Sequence, residues 1–228
     1  MSGESEAVPA RRTFLSSLGV YAERPALVMI VLGFSAGLPY FLIFDTLSAW
    51  FRAEGLSLEV IGFFSLVTMV STFKFLWAPF IDRTQIPLLT AWLGHRRSWM
   101  LVCQIAIIAG LWLVAGSDPT HSLGPIAVFA VLVGFSSATQ DIAIDAWRIE
   151  AAETSKQGAM AAAYQWGYRG ATIVAGAVPL LLAQSYGWNF SYAVMAALMV
   201  TGVLAVLAAP RELRHAIRPI HAEGIQPS

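Results

Sequence analysis

Five ionisable residues stand where an apolar chain should carry none. Asp45, Lys74, Asp141, Asp145 and Arg169 each lie inside a long apolar stretch. A charge near the centre of a bilayer costs about 2.5–3.5 kcal/mol on insertion scales, so such groups face a cavity or a partner. Two of the five are basic and three acidic, which permits pairing. At about 1.5 Å of rise per residue, Lys74 lies roughly 12 Å inward of Asp82 and Asp141 roughly 13 Å inward of Glu150. Arg169 lies roughly 18 Å inward of Gln157 on the same scale. Three charges from three separate stretches thus reach similar depths, and Gln140 adds an amide beside Asp141. Two arrangements satisfy them. Lys74 can neutralise Asp141 while Arg169 bonds to backbone carbonyls, so that the charges only hold helices together. Alternatively, they line a polar cavity in which the carboxylate takes a proton and the cations hold an anionic solute. Apolar side chains would hold helices at lower cost, which favours the cavity. Asp45 sits nearer the opposite face, beside Trp50, where water reaches it.

These residues are positioned by six apolar stretches, at 26–51, 60–81, 98–116, 124–147, 159–184 and 189–209. The chain has 228 residues, 57% hydrophobic and 12% charged, with a mean hydropathy of +0.65. Soluble domains run at about 45–50% apolar and about 25% charged. A spanning helix takes about 20 residues, so the composition predicts an all-α integral membrane protein, a six-helix bundle. Residues 1–25 and 210–228 read as tails, the second as disordered. The first 25 residues carry no apolar run ahead of a small-residue cleavage site, which predicts no cleavable signal.

The basic residues give the orientation. With a cytoplasmic amino terminus, Arg11, Arg12, Arg24, Arg83, Arg96, Arg97, Arg148, Lys156, Arg211, Arg214 and Arg218 fall inside, and only Arg52 outside. Eleven against one predicts cytoplasmic termini and a multi-pass protein.

A second charge cluster follows the second stretch. Asp82-Arg83 and Gly94-His95-Arg96-Arg97 flank its cytoplasmic turn, and Asp145, Arg148 and Glu150 end the fourth stretch on the same side. Salt bridges across that seam would close a gate and break when it opens; simple positive-inside decoration is the alternative. Asp141 and Asp145, four apart, share a helix face, but Asp145 lies nearer the cytoplasm and belongs with the seam.

Several function classes fall away. Net charge is zero, which argues against a basic nucleic-acid surface. Cys103 is the single cysteine and all four histidines lie in connections or the tail, so no metal site or other cofactor is expected. There is no nucleotide-binding loop. Gly33-Phe34-Ser35-Ala36-Gly37 fits the G-x-S-x-G pattern of a nucleophile, but that elbow needs a strand–turn–helix setting. Within an apolar helix, Gly33-x-x-x-Gly37 is a packing face, and the chain does not read as an enzyme. Ala159, Ala163, Gly167, Ala171 and Ala175 form a matching small-residue stripe on the fifth stretch, read as helix packing or as a surface that slides. Pro39 and Pro179 each free a carbonyl and allow a kink.

Asp82-Arg83…Gly94-x-Arg96-Arg97, with a long insertion, resembles the signature loop of the major facilitator superfamily. Longer stretches resemble the AmpG-type muropeptide permeases. They are Leu32-Gly33-Phe34-Ser35-Ala36-Gly37-Leu38-Pro39, Leu47-Ser48-Ala49-Trp50, Ile61-Gly62-Phe63-Phe64-Ser65-Leu66 and Lys74-Phe75-Leu76-Trp77-Ala78-Pro79. Phe135-Ser136-Ser137-Ala138-Thr139-Gln140-Asp141, Asp145-Ala146-Trp147 and Gly167-Tyr168-Arg169 complete the set. The resemblance covers roughly 27–210. It implies the amino-terminal six-helix half of a transporter of twelve or more helices. Its substrate would be anhydromuropeptides, imported with protons through the bacterial inner membrane for cell-wall recycling. It points to Lys74, Gln140, Asp141 and Arg169 as transport residues, with Asp45 beside them. It also implies a partner, either a second six-helix half or a second copy of the chain. A facilitator for a sugar, a peptide or an acyl-CoA, or a non-transporting membrane binding or sensor protein, are the alternatives.

Overall fold

The computed structural model describes residues 19–211, and all regular structure among them is helical. The predicted tails fall largely outside these residues, and so do Arg11, Arg12, Arg214 and Arg218. The helices are α1 (Arg24–Ala53), α2 (Leu58–Phe64), α3 (Thr68–Thr72), α4 (Ala78–Arg83), α5 (Leu89–Leu93), α6 (His95–Ala115), α7 (Leu123–Ala151), α8 (Gln157–Tyr186) and α9 (Trp188–Ala208).

α1 begins with Pro25 in its first turn, where a missing N–H costs nothing. It ends in a Schellman turn. Gly55 takes φ +75°, its N–H reaches the Arg52 carbonyl, and the Leu56 N–H reaches Phe51. Ser57 then caps α2 through the Val60 N–H. By length and composition, α1, the Leu58–Leu76 segment, α6, α7 and α9 could each cross a membrane. The fifth predicted stretch is one continuous helix, the 30-residue α8. Gln165, Arg169 and Gln184 make it less apolar, and it is not among those five.

α8 lies along α1, α6 along α7, and α9 packs against α6, α8 and α1. The small-residue stripe is the reason for the first pairing. Ala163, Gly167, Ala171 and Ala175 are all buried. A Cβ on Gly167 would collide with the Ile30 carbonyl, and one on Gly33 with the Tyr164 carbonyl. Two backbones in contact leave no room for side chains. Ser35, between Gly33 and Gly37, is fully buried and bonds to Leu32 O, which is the packing role and not that of a nucleophile.

Each proline bears on the change of gauge in α1. Pro179 cannot donate to Ala175 O, four residues back, and the Thr46 hydroxyl of α1 donates to that carbonyl instead, at 3.1 Å. Thr46 closes a π turn, Leu42–Thr46, that follows Pro39. The Leu47 N–H and the Tyr192 hydroxyl (2.8 Å) both reach Leu42 O there.

The second predicted stretch, 60–81, is not a uniform helix. α2, a 3-10 turn at Ser65–Val67, α3, a second 3-10 turn at Lys74–Leu76, and α4 follow one another. Most of it is exposed, including Phe63, Leu66, Met69, Phe73, Phe75, Leu76 and Phe80.

Candidate functional site

α7 carries Asp141 on the side that faces α8. The Tyr164 hydroxyl of α8 donates to Asp141 Oδ1 over a long 3.4 Å. Tyr164 packs on Tyr168, rings 6.0 Å apart, and Tyr168 on Phe41 of α1 at 6.1 Å. Lys74 stands on the 3-10 turn between α3 and α4, half-buried and close enough to Asp141 to interact through charge. No ion pair within 4.0 Å joins the two, so they interact across a gap and not through a direct bond. Trp77, one turn after Lys74, ties this segment to α7 through a 3.1 Å bond to Thr139 and by packing on Phe135. Arg169 follows Tyr168 and is exposed, forming no ion pair with a described residue. Lys74 and Asp141 thus lie within electrostatic reach of each other beside two tyrosines that sequence reasoning passed over, while Arg169 stands exposed next to the second of them. Their positions five and one residues before Arg169 carried the signal: Tyr168 adjoins the arginine, and Tyr164 is one turn earlier.

Gln140 goes elsewhere. It is fully buried, and its amide nitrogen reaches Ser35 Oγ at 3.4 Å, as does that of Gln104 in α6. A Cβ on Gly202 of α9 would strike Ser35 and Gln104. This node knits α1, α6, α7 and α9. Adjacent residues on a helix point about 100° apart, so Gln140 and Asp141 cannot face the same space. Asp45, in the π turn, is exposed and lines a separate cavity nearer the far end of α1.

In the seam, the charges divide among several partners. Arg96 pairs with Asp82, and at 3.0 Å with Glu150 of α7. Among the described residues, Asp145 pairs with Arg148, at 3.5 Å on its own helix. Arg97 is buried and donates to the Val206 and Leu207 carbonyls, both at 3.0 Å, capping the end of α9. Arg83 is exposed and pairs with no described acid. Glu23 and Lys156 form a further pair at 2.7 Å, joining the start of α1 to the turn before α8. Their contact spans 133 residues, and only the positions of both at stretch boundaries hinted at it.

Comparison with known proteins puts these helices in context. The pattern of the Major Facilitator Superfamily matches residues 29–227. The anhydromuropeptide permease of Escherichia coli, in strains K12 and O157:H7, is 38% identical over 85% of this chain and 39% of the permease. An uncharacterized protein of Haemophilus influenzae is 36% identical over 83% of this chain and 44% of its own length. The chain therefore spans about two fifths of the length of these relatives. With that pattern running through α1, α7 and α8, which carry the close approaches of Gly33 to Tyr164 and of Gly167 to Ile30, Asp141 and Arg169, the chain belongs to the major facilitator superfamily.

Proposed function

We propose that the chain is the amino-terminal half of a proton-coupled secondary transporter that imports anhydromuropeptides across a bacterial inner membrane. The observation that carries the reading is Asp141. It is a carboxylate within the bundle, held by one long tyrosine bond, with a lysine in electrostatic reach but not bonded to it. A carboxylate so weakly committed can gain and lose a proton without dismantling the fold. Protonation removes the charge that holds Lys74, and the ammonium is then available, with Arg169, to an anionic solute. The identity of that solute is taken from the Escherichia coli permease, 38% identical to this chain.

The partner follows from a rule about lipid. Irregular backbone at membrane depth is tolerated only against protein or a water-filled cavity. The segment from α2 to α4 is irregular, mostly exposed, and carries Lys74. A second six-helix half would cover it, and transporter sites form between such repeats. Self-association of the chain is the other way to cover it. α8, the fifth stretch, runs beside α1 and brings the number of spans to six; an even number leaves both termini on one side, and the eleven-to-one distribution of basic residues supports the cytoplasmic one. The Arg96, Asp82 and Glu150 cluster then lies on the cytoplasmic side as one clasp of a gate.

The test is uptake of a labelled anhydromuropeptide into vesicles under an inward proton gradient, by the chain alone and with a complementary second half. Gradient-driven uptake is expected with the second half present. Asp141→Asn should abolish it, by at least about a hundredfold, with insertion unchanged; uptake at the parental level would remove Asp141 from the mechanism. If an unrelated sugar, peptide or acyl-CoA moves and the muropeptide does not, the chain belongs to a facilitator for another solute.

A further inference from the structure

One wall of the bundle continues outward from Asp141 without a break in its aromatic surface. Tyr164 and Tyr168 lead to Phe41, and beside it the Tyr40 ring packs on Phe41 at 5.4 Å and on Phe44 at 4.6 Å. The next turn opens into a cavity of about 250 Å³, lined by Tyr40, Phe44, Asp45, Ser48, Phe51 and Phe64 among others. The π turn Leu42–Thr46 shapes it, and π turns concentrate at functional sites. This one is held from outside by Tyr192 and through Thr46, so it belongs to the packed frame of the bundle and is not frayed backbone. Asp45 enters no hydrogen bond or ion pair with a described residue, and no basic side chain lines the cavity.

We propose that this cavity is a sugar subsite, which takes a pyranose ring of the solute whose charged groups lie at Lys74 and Arg169. The inference rests on the transport reading above. A sugar offers hydroxyl donors around its edge and weakly positive C–H groups on its faces. Asp45 supplies two acceptor oxygens. Ser48 spends its proton on the Phe44 carbonyl, which leaves its oxygen to accept. The Tyr40 hydroxyl, bonded to no described residue, can donate in return. The electron-rich faces of Tyr40 and Phe44 suit the C–H faces of the ring. A lone ammonium would also be drawn to a carboxylate among aromatics. It would leave most of the space empty, since a group the size of water takes about 30 Å³.

The experiment is competition against uptake of the labelled anhydromuropeptide, in vesicles holding the chain and a complementary second half. The competitors are the peptide-free anhydro-disaccharide, the free peptide, and methylammonium. In the parental protein the disaccharide should compete. Asp45→Asn and, separately, Tyr40→Leu should weaken that competition at least tenfold, with competition by the free peptide unchanged. Both side chains are on the surface, so neither change threatens folding. Equal competition by the disaccharide in parent and variants would overturn the subsite and leave the transport reading standing. Competition by methylammonium that depends on Asp45 would make the cavity an amine site and also overturn it. If the parental protein, shown to be inserted, takes up no anhydromuropeptide, both readings fail together.

Discussion

The α1–α8 pair and the α2–α4 segment are both apolar and both helical, yet they are built on opposite terms. In the most apolar window of α1, 61% of residues are buried; in that of Leu58–Leu76, 18% are. Along α1 and α8 the side chains are reduced to hydrogens and methyls, backbones touch, and even the carbonyl freed by Pro179 has a donor waiting in Thr46. Along the other segment the helix changes gauge twice, large apolar side chains stand exposed, and a lysine sits at the second irregular turn. A protein that keeps one region complete and another unfinished has divided its labour. On the transport reading proposed above, the first would be a frame that stays the same through the cycle. On the same reading, the second would be the face that a second half covers.

Replacing Gly167 by Leu breaks the frame and gives the largest effect. Its Cβ already collides with the Ile30 carbonyl, and neither backbone can retreat without parting the other small-residue contacts. Overpacking of this kind costs about 3 kcal/mol or more. Thermal unfolding in detergent should show a much lower transition or no folded protein at all. A variant as stable as the parent would mean that the two helices can slide apart freely, and the contrast with the second segment would lose its basis.

Thr46→Val is a finer cut through the same frame. The shape is kept and one hydroxyl is lost, so Ala175 O is left buried without a donor, at a cost of about 1–3 kcal/mol. Pro179→Ala restores the intrahelical N–H to that carbonyl. The double variant should therefore recover most of what Thr46→Val loses, measured as a double-mutant cycle in the same unfolding assay. Additive losses would show that the hydroxyl serves the π turn and not the proline.

Much of the frame was legible because small residues every fourth position can only mean close approach. Asp141, Lys74 and Arg169 were legible because charge is so costly in an apolar stretch that its mere presence is informative. What sequence could not give was direction. Gln140 and Asp141 are polar neighbours, but one closes a buried node with Ser35 and Gln104 while the other faces Tyr164. Arg96 and Arg97 divide in the same way, one to acids across the seam and one to the end of α9. A rotation of about 100° per residue decides these pairs, and it depends on where each helix starts. The changes of gauge at Lys74 and Leu42 were hidden for a related reason: hydropathy is blind to whether a turn holds three, four or five residues.

The smallest effect should come from the unfinished face, and it should depend on what is present. Phe63 of α2 is 66% exposed. Phe63→Ser removes little packing from the chain, so its unfolding transition should move by no more than about 0.5 kcal/mol. If a second half covers this face, as proposed above, the same change in vesicles holding both halves would fall in an interface, where an aromatic side chain can carry a large share of the binding energy. Co-purification of the two halves, and gradient-driven uptake with them, should then fall by about tenfold or more. The comparison is sharpest with Gly167→Leu measured alongside, which should fail in both settings. If Phe63→Ser were silent in both, α2 would face lipid, and the irregular turn at Lys74 would need water, not protein, to satisfy its backbone.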